Sequence, residues 1–133
     1  MQASVKWQQG LCFEGTTEEG NKVIMDGERA NGASPMEMVM MAAGSCASID
    51  IVMILEKARQ NITNTEVKLE GERVDAVPSV FSKINMHFIV TGKDLSEKQV
   101  DRAVNLSMEK YCSVALMLGK SVEITHSHEV IQE

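Results

Sequence analysis

The stretch SPMEMVMMAAGSC, residues 34–46, decides the fold because it starts the longest helix that the sequence predicts. Ser34 can accept a hydrogen bond from a first-turn amide, Pro35 suits the first helical position, and Glu37 can complete a capping box. The pattern predicts a helix from about Pro35 to about Arg59. Its first half is apolar nearly all round, so we expect it to be buried on every side.

Three short alternating segments precede this helix. They are predicted as strands at residues 4–8, 11–15 and 22–26. Glycine-containing and polar runs separate them, which is typical of an antiparallel meander. In the second segment Leu11 and Phe13 share one face and Cys12 lies on the other.

The chain after the helix predicts two longer strands, a second helix and a final strand. Asn61 and Asn64 suit the exit from the first helix, and Ser96 with Gln99 forms a second capping box. The elements are predicted at residues 65–75, 80–91, 96–118 and 121–131, with a kink in the second helix before Cys112 and Gly119 as its cap. The order β-β-β-α-β-β-α-β predicts one α+β domain over residues 1–133.

The composition of the chain restricts the binding partners and the cellular compartment that we expect for the protein. The chain of 133 residues carries 13 Lys and Arg against 19 Asp and Glu, a formal net charge of -6. This charge argues against nucleic acid and against anionic membranes as partners. Residues 1–7 lack the apolar core of a signal peptide, and the longest uncharged stretch, residues 38–49, is short for a spanning helix. With three cysteines, we expect a cytoplasmic protein.

Three cysteines are the first candidates for chemistry. Cys46 lies in the middle of the predicted helix, where a buried thiol is usually an inert part of the core. A reactive Cys46 would need a cation supplied by another part of the fold. Cys112 lies beside Lys110 and Tyr111, and considered alone it is also interpreted as an inert part of the core. Cys12 lies on a predicted strand and is interpreted as structural or incidental.

Two further features have a structural and a functional interpretation. Four methionines occur within six residues: Met36, Met38, Met40 and Met41. Such residues commonly fill gaps in a core, and the alternative is a soft surface for an apolar ligand or a second subunit. His126 and His128 share a strand face and could provide two metal ligands, but a solvated or partner-covered face is the commoner case. No further ligands occur at a recognisable spacing, so we expect no metal and no cofactor.

Two segments together resemble the OsmC/Ohr family. Residues 34–46 resemble its central-helix signature, in which a helix start leads through small and apolar residues to a cysteine, and residues 109–114, EKYCSV, resemble its second cysteine segment. The predicted order of elements is similar to the family over essentially the whole chain. The short chain and the methionine-rich helix make it most similar to the YhfA-like branch.

The resemblance implies an OsmC-like α+β fold that forms an intertwined homodimer, with sites at the subunit interface. It implies reduction of organic hydroperoxides or hydrogen peroxide without metal or cofactor. Cys46 would attack the peroxide and become a sulfenic acid, and Cys112 would resolve it to a disulfide that a dithiol reductant resets. The Cα atoms of the two cysteines should then lie within about 7 Å of each other. The alternative is a non-catalytic protein that binds a small apolar or thiol ligand in the interface pocket.

The sequence departs from the resemblance at the helix start. The peroxidase members have a glutamate ten residues before the first cysteine, which holds an arginine against the thiolate, and here that position is Met36. Glu37 stands nine residues before Cys46, about half a rotation and roughly 13.5 Å along a helix, so the two lie on opposite faces. We interpret Glu37 as a capping residue. Arg29, in the preceding loop, is a candidate cation, although a loop arginine is more often simply solvated.

Overall fold

The computed structural model describes all residues from Met1 to Glu133 and has the predicted order of elements. Its strands are β1 (Ala3–Gln9), β2 (Cys12–Thr17), β3 (Lys22–Asp26), β4 (Asn61–Arg73), β5 (Phe81–Lys93) and β6 (Glu123–Gln132). Its helices are α1 (Pro35–Lys57), α2 (Glu97–Leu106) and α3 (Ser113–Leu118), and a π-helical segment, Ser107–Tyr111, follows α2. The α+β class and the strand-and-helix order are therefore confirmed.

The chain divides into two compact units, Met1–Val39 and Met40–Glu133. The first unit contains an antiparallel sheet in the order β1-β2-β3, which confirms the predicted meander. Every residue of β1 is exposed, including Val5 and Trp7 at 64% each. Cys12 is buried, whereas Leu11 is 53% exposed. The two side chains therefore lie on opposite faces of the sheet as predicted, but the larger apolar side chain, Leu11, lies on the face exposed to solvent.

The start of α1 has the predicted capping box. The Glu37 amide donates to Ser34 Oγ at 3.2 Å, and the Ser34 amide donates to Glu37 Oε1 at 2.9 Å. The helix ends at Lys57, slightly before the predicted end, and Arg59 turns the chain with a left-handed φ of 59°. Strand β4 begins directly afterwards at Asn61. The prediction that Asn61 and Asn64 belong to a helix exit is therefore wrong, because backbone pairing with β5 extends β4 to Asn61.

Helix α1 buries one face only. Its buried residues are Ala43, Gly44, Ala47, Ile51 and Leu55. Met41, Ile49 and Met53 are 43%, 60% and 63% exposed, so burial on every side is wrong for the single chain. By length and composition this helix could cross a membrane, with a mean hydropathy of 2.0, but the core helix of a soluble protein passes the same test. Asp50 also interrupts its apolar sequence.

The second unit is built on a sheet in the order β4-β5-β6, in which β4 and β5 are antiparallel and β5 and β6 are parallel. Alternate residues of β5, namely Ile84, Met86, Phe88 and Val90, form its core, and Phe81 at the start of the strand is also buried. Gly44 allows α1 to approach β4 closely, because a methyl group there would come within 2.9 Å of Leu69 and 3.1 Å of Val67. The middle of α1 is therefore held against the sheet.

The second helical region is less regular than predicted. Only half of the second capping box forms: the Gln99 amide donates to Ser96 Oγ at 3.3 Å, but the Ser96 amide donates to Gln60 Oε1 at 2.8 Å. The predicted kink is present as a break in the helix, and Gly119 caps the part that follows, but Cys112 itself is not helical as predicted. The backbone at Cys112 is extended, with φ -72° and ψ 100°, and this residue is the N-cap of α3.

Candidate active site

One face of α1 meets the segment that carries the second cysteine. Ala43, Ala47 and Asp50 lie three or four residues apart and therefore on the same side of the helix. The Cys112 thiol lies 3.7 Å from the Ala43 carbonyl oxygen. The Ser107 hydroxyl lies 3.1 Å from the Ala47 carbonyl oxygen. Cys46 belongs to the same side of the helix, because it lies three residues after Ala43 and four before Asp50. The packing of α1 on this segment therefore brings the two predicted site cysteines together.

Cys112 is fixed by backbone contacts on both sides. Its amide donates to the Ser107 carbonyl oxygen at 2.8 Å, which closes the π-helical segment. Its sulfur accepts a hydrogen bond from the Ala115 amide at 3.4 Å, so the thiol itself caps α3. The side chain is completely buried. A thiol held in this way has little freedom to move towards solvent.

Burial is the main reason that the pKa of Cys112 is raised from 9.0 to about 11. The hydrogen bond from the Ala115 amide opposes this shift. A hydrogen-bonding interaction with the Cys46 side chain, and the charges of Cys46 and Asp50, raise the pKa further. Cys112 is therefore protonated at neutral pH, and it is close enough to Cys46 for the two thiols to affect each other.

Cys46 is the more accessible thiol of the pair. It is partly exposed whereas Cys112 is buried, and both are free. Cys12 is also free and buried, but it belongs to the first unit, on β2 opposite Asp26. The predicted roles of Cys46 and Cys112, and the predicted distance between their Cα atoms, stay predictions.

Two polar side chains that were not predicted from the sequence, Asp50 and Ser107, also lie at this site. The buried Ser107 hydroxyl lies 3.1 Å from Asp50 Oδ2, so it can donate to the carboxylate or to the Ala47 carbonyl oxygen. The sequence contained a signal for Asp50. It is the single charge between Glu37 and Glu56 in α1, and it follows Cys46 by one helical turn.

The first unit contains an acidic side chain paired with an arginine. Glu37 Oε2 lies 4.0 Å from Arg29 Nη1, and Glu37 Oε1 accepts the capping bond from Ser34. The pKa of Glu37 is lowered chiefly by the hydrogen bond from the Ser34 amide and to a smaller extent by the charge of Arg29. Arg29 has a left-handed φ of 58°. Glu37 therefore acts as the expected capping residue and also lies beside the one loop arginine that the sequence singled out.

The two histidines of β6 lie against α2. His126 Nε2 is 3.3 Å from Asn105 Oδ1, and His128 Nε2 is 3.9 Å from Asp101 Oδ1. Helix α2 therefore covers part of this face, and both histidines keep some exposure to solvent. Each ring contacts a different residue of α2.

Comparison with known proteins places the chain in a family. The sequence profile of the OsmC-like proteins matches residues 26–127. The chain belongs to the OsmC-like protein family. This OsmC-like chain is also 58% identical over 132 residues to Protein YhfA of Escherichia coli strain K12, covering 98% of each chain. The similarity to the YhfA-like branch is thus confirmed. The proteins of the OsmC-like family are generally soluble.

Solved structures confirm the OsmC-like fold. A structure described as structural genomics is 55% identical to this chain, with a TM-score of 0.94 and coverage of 100% of both chains. An organic hydroperoxide resistance protein OsmC from Legionella pneumophila is 16% identical, with a TM-score of 0.70 over 97% of this chain and 96% of that one. The second likeness concerns the fold alone.

Proposed function

We propose that this OsmC-like protein reduces organic hydroperoxides or hydrogen peroxide with the pair Cys46 and Cys112. The observation that carries the proposal is the pairing of a partly exposed free thiol with a buried free thiol on facing elements. The Cys46 thiolate attacks the peroxide, the O–O bond breaks, an alcohol or water leaves, and Cys46 becomes a sulfenic acid. Cys112 then displaces the hydroxyl group to form a disulfide, and a dithiol reductant restores both thiols.

Accessibility supports Cys46 as the thiol that reacts first and Cys112 as the one that resolves it. A hydroperoxide can approach Cys46 from solvent, whereas Cys112 is completely buried. The raised pKa of Cys112 also keeps it protonated, and the thiolate is the nucleophile in this chemistry. Cys112 thus suits attack on a neighbouring sulfur better than attack on a dissolved peroxide.

Family membership supports the same reaction. The Legionella pneumophila protein with this fold is described as an organic hydroperoxide resistance protein and a predicted redox protein. Met36 in place of the family glutamate distinguishes this chain from the peroxidase members that its sequence resembles. We therefore propose a hydroperoxide reductase whose activating groups differ from theirs.

Thiol titration before and after one equivalent of cumene hydroperoxide tests the proposal. We expect rapid loss of two thiols and a Cys46–Cys112 disulfide in peptide mass maps. Cys46→Ser should abolish the reaction, and Cys112→Ser should stop it at a sulfenic acid that dimedone traps. Cys12→Ser is the matched control and should react like the unmodified protein. Full peroxide turnover by Cys46→Ser would refute the assignment.

We propose further that the protein is a homodimer. Its exposed large apolar residues include Val5, Trp7, Leu11, Ile49 and Met53. Covering these side chains in a second copy removes apolar area from water, which is the main driving force of association. Sedimentation velocity at micromolar concentration should give twice the 14.6 kDa of one chain. A monomer at that concentration would contradict the proposal.

A second candidate function is binding of a small apolar ligand. The observation that favours it is a cavity of about 370 Å³ in the first unit. Its lining consists of Val5, Leu11, Phe13, Met25, Gly27 and Pro35. Native mass spectrometry of the purified protein should then show a bound apolar molecule that Cys46→Ser does not remove. Protein without such a molecule, together with peroxide turnover, would favour the enzyme.

The redox cycle also suggests a location. Free cysteines and recycling by a dithiol require a reducing compartment, so we propose that the protein is cytoplasmic. Metal, nucleic acid and membrane have no part in the proposed reaction.

A further inference from the structure

Asp50 lies one helical turn after Cys46, on the side of α1 that faces the second cysteine. One of its carboxylate oxygens, Oδ2, lies 3.1 Å from the buried Ser107 hydroxyl. The other, Oδ1, accepts no hydrogen bond from the protein. Ser107 in turn accepts the Cys112 amide on its carbonyl oxygen. The carboxylate is therefore tied to the segment that holds Cys112 and keeps one oxygen available for a proton.

Disulfide formation at this site needs such a group. The Cys112 thiol must lose its proton to attack, and the hydroxyl group leaving Cys46 must gain one. With a pKa of about 11 for Cys112, only about one molecule in ten thousand has the thiolate at pH 7. The titratable groups whose charges reach this thiol are Cys46 and Asp50, both on α1. Of these, Asp50 is the group that is not itself being oxidised.

We propose that Asp50 carries the proton between the two cysteines during disulfide formation, an inference that rests on the proposed peroxide chemistry. Asp50 accepts the proton of the Cys112 thiol while the Cys112 sulfur attacks the Cys46 sulfur. The S–O bond of the sulfenic acid breaks with its electron pair on oxygen. Asp50 then delivers the proton to this oxygen, and water leaves. The products are the disulfide, water and the original carboxylate.

A purely electrostatic role for Asp50 predicts the opposite result, which makes the proposal testable. The charge of Asp50 raises the pKa of Cys112, so removing that charge lowers this pKa and favours the thiolate. If repulsion were the whole effect, Asp50→Asn would therefore speed disulfide formation. If Asp50 moves the proton, the same substitution slows disulfide formation, because the amide cannot act as a base.

The experiment measures the two steps separately in stopped-flow mixing with cumene hydroperoxide. Dimedone trapping follows formation of the Cys46 sulfenic acid, and mass mapping follows the Cys46–Cys112 disulfide. We expect Asp50→Asn to leave the first step within about threefold of the unmodified protein and to slow the second about 100-fold at pH 7, the range for acid–base assistance. Asp50→Glu keeps a carboxylate and should restore most of the rate.

The pH profile separates proton transfer from a loss of packing. In Asp50→Asn the second step should rise about tenfold per pH unit from pH 6 to pH 9, because it depends on the Cys112 thiolate, whereas the unmodified protein should vary much less. Glu56→Gln, an exposed acid on the same helix, is the matched control and should change neither step. A second step that is unchanged, faster, or slowed equally at every pH would overturn the role of Asp50. Absence of both a disulfide in the unmodified protein and a dimedone-trapped sulfenic acid in Cys112→Ser would instead overturn the peroxidase proposal, and this inference with it.

Discussion

Replacing Cys112 by serine should change how the stability of the protein depends on pH. In the folded protein the pKa of Cys112 is about 11, against 9.0 without its environment. The unfolded chain therefore loses this proton first as pH rises, and the folded chain binds more protons between pH 9 and pH 11. The stability that comes from keeping the thiol neutral is complete below pH 9 and is lost as pH rises through 11.

The size of this effect follows from the same two pKa values. A difference of about two units between 9.0 and 11 corresponds to about 2.7 kcal/mol once both states have titrated. At pH 10 the loss should already be about 1.4 kcal/mol relative to pH 7. Cys112→Ser has no thiol to titrate and keeps a side-chain oxygen that can accept the Ala115 amide, so it should lack this component.

Urea unfolding followed by circular dichroism at pH 7, 9 and 10 provides the measurement, in reducing buffer. The free energy of unfolding of the original protein minus that of Cys112→Ser should fall by about 1.4 kcal/mol from pH 7 to pH 10. Taking this difference removes the pH dependence of all groups that the two proteins share. A difference that is constant with pH, or that grows, would refute the argument that the buried thiol is held neutral.

Two further substitutions test the packing of the β4–β5 pair and the cap of α1. Gly92→Ala should lower the free energy of unfolding by about 2 kcal/mol, because the added methyl group would collide with the backbone carbonyl oxygen of Asn61; an unchanged urea midpoint would contradict this. Ser34→Ala should cost about 1 kcal/mol through loss of the α1 cap, whereas Ser34→Asp keeps an acceptor and should cost much less. Equal losses for the two Ser34 variants in the same urea experiment would show that the cap is not the cause.

Periodicity and capping chemistry predicted much of the fold. Alternating segments identified all six strands, and Ser34 with Glu37 marked the start of α1. These features depend on neighbours in sequence, which is why they can be recognised there. The start of β4 could not be predicted in the same way, because pairing with β5 extends the strand through two asparagines that favour turns.

The candidate site could be predicted only in part. The resemblance pointed to Cys46 and Cys112, which α1 and its facing segment bring together. The exit of Cys112 from the helix depends on the π-helical segment before it, which has no simple sequence signature. The prediction that α1 is buried on all sides failed for another reason. An apolar sequence indicates that a helix tends to be buried, but it does not indicate whether the residues that bury it belong to the same chain.

The π-helical segment also limits how the length of this protein can change. A π-helical turn holds more residues than an α-helical turn, so Ser107–Tyr111 amounts to an insertion within a longer helix. Deleting one residue there would let α2 run on as a regular helix and rotate Cys112 by about 100° away from α1. We therefore expect natural selection to tolerate amino-acid substitutions in this segment far more readily than single-residue deletions, even at its exposed positions.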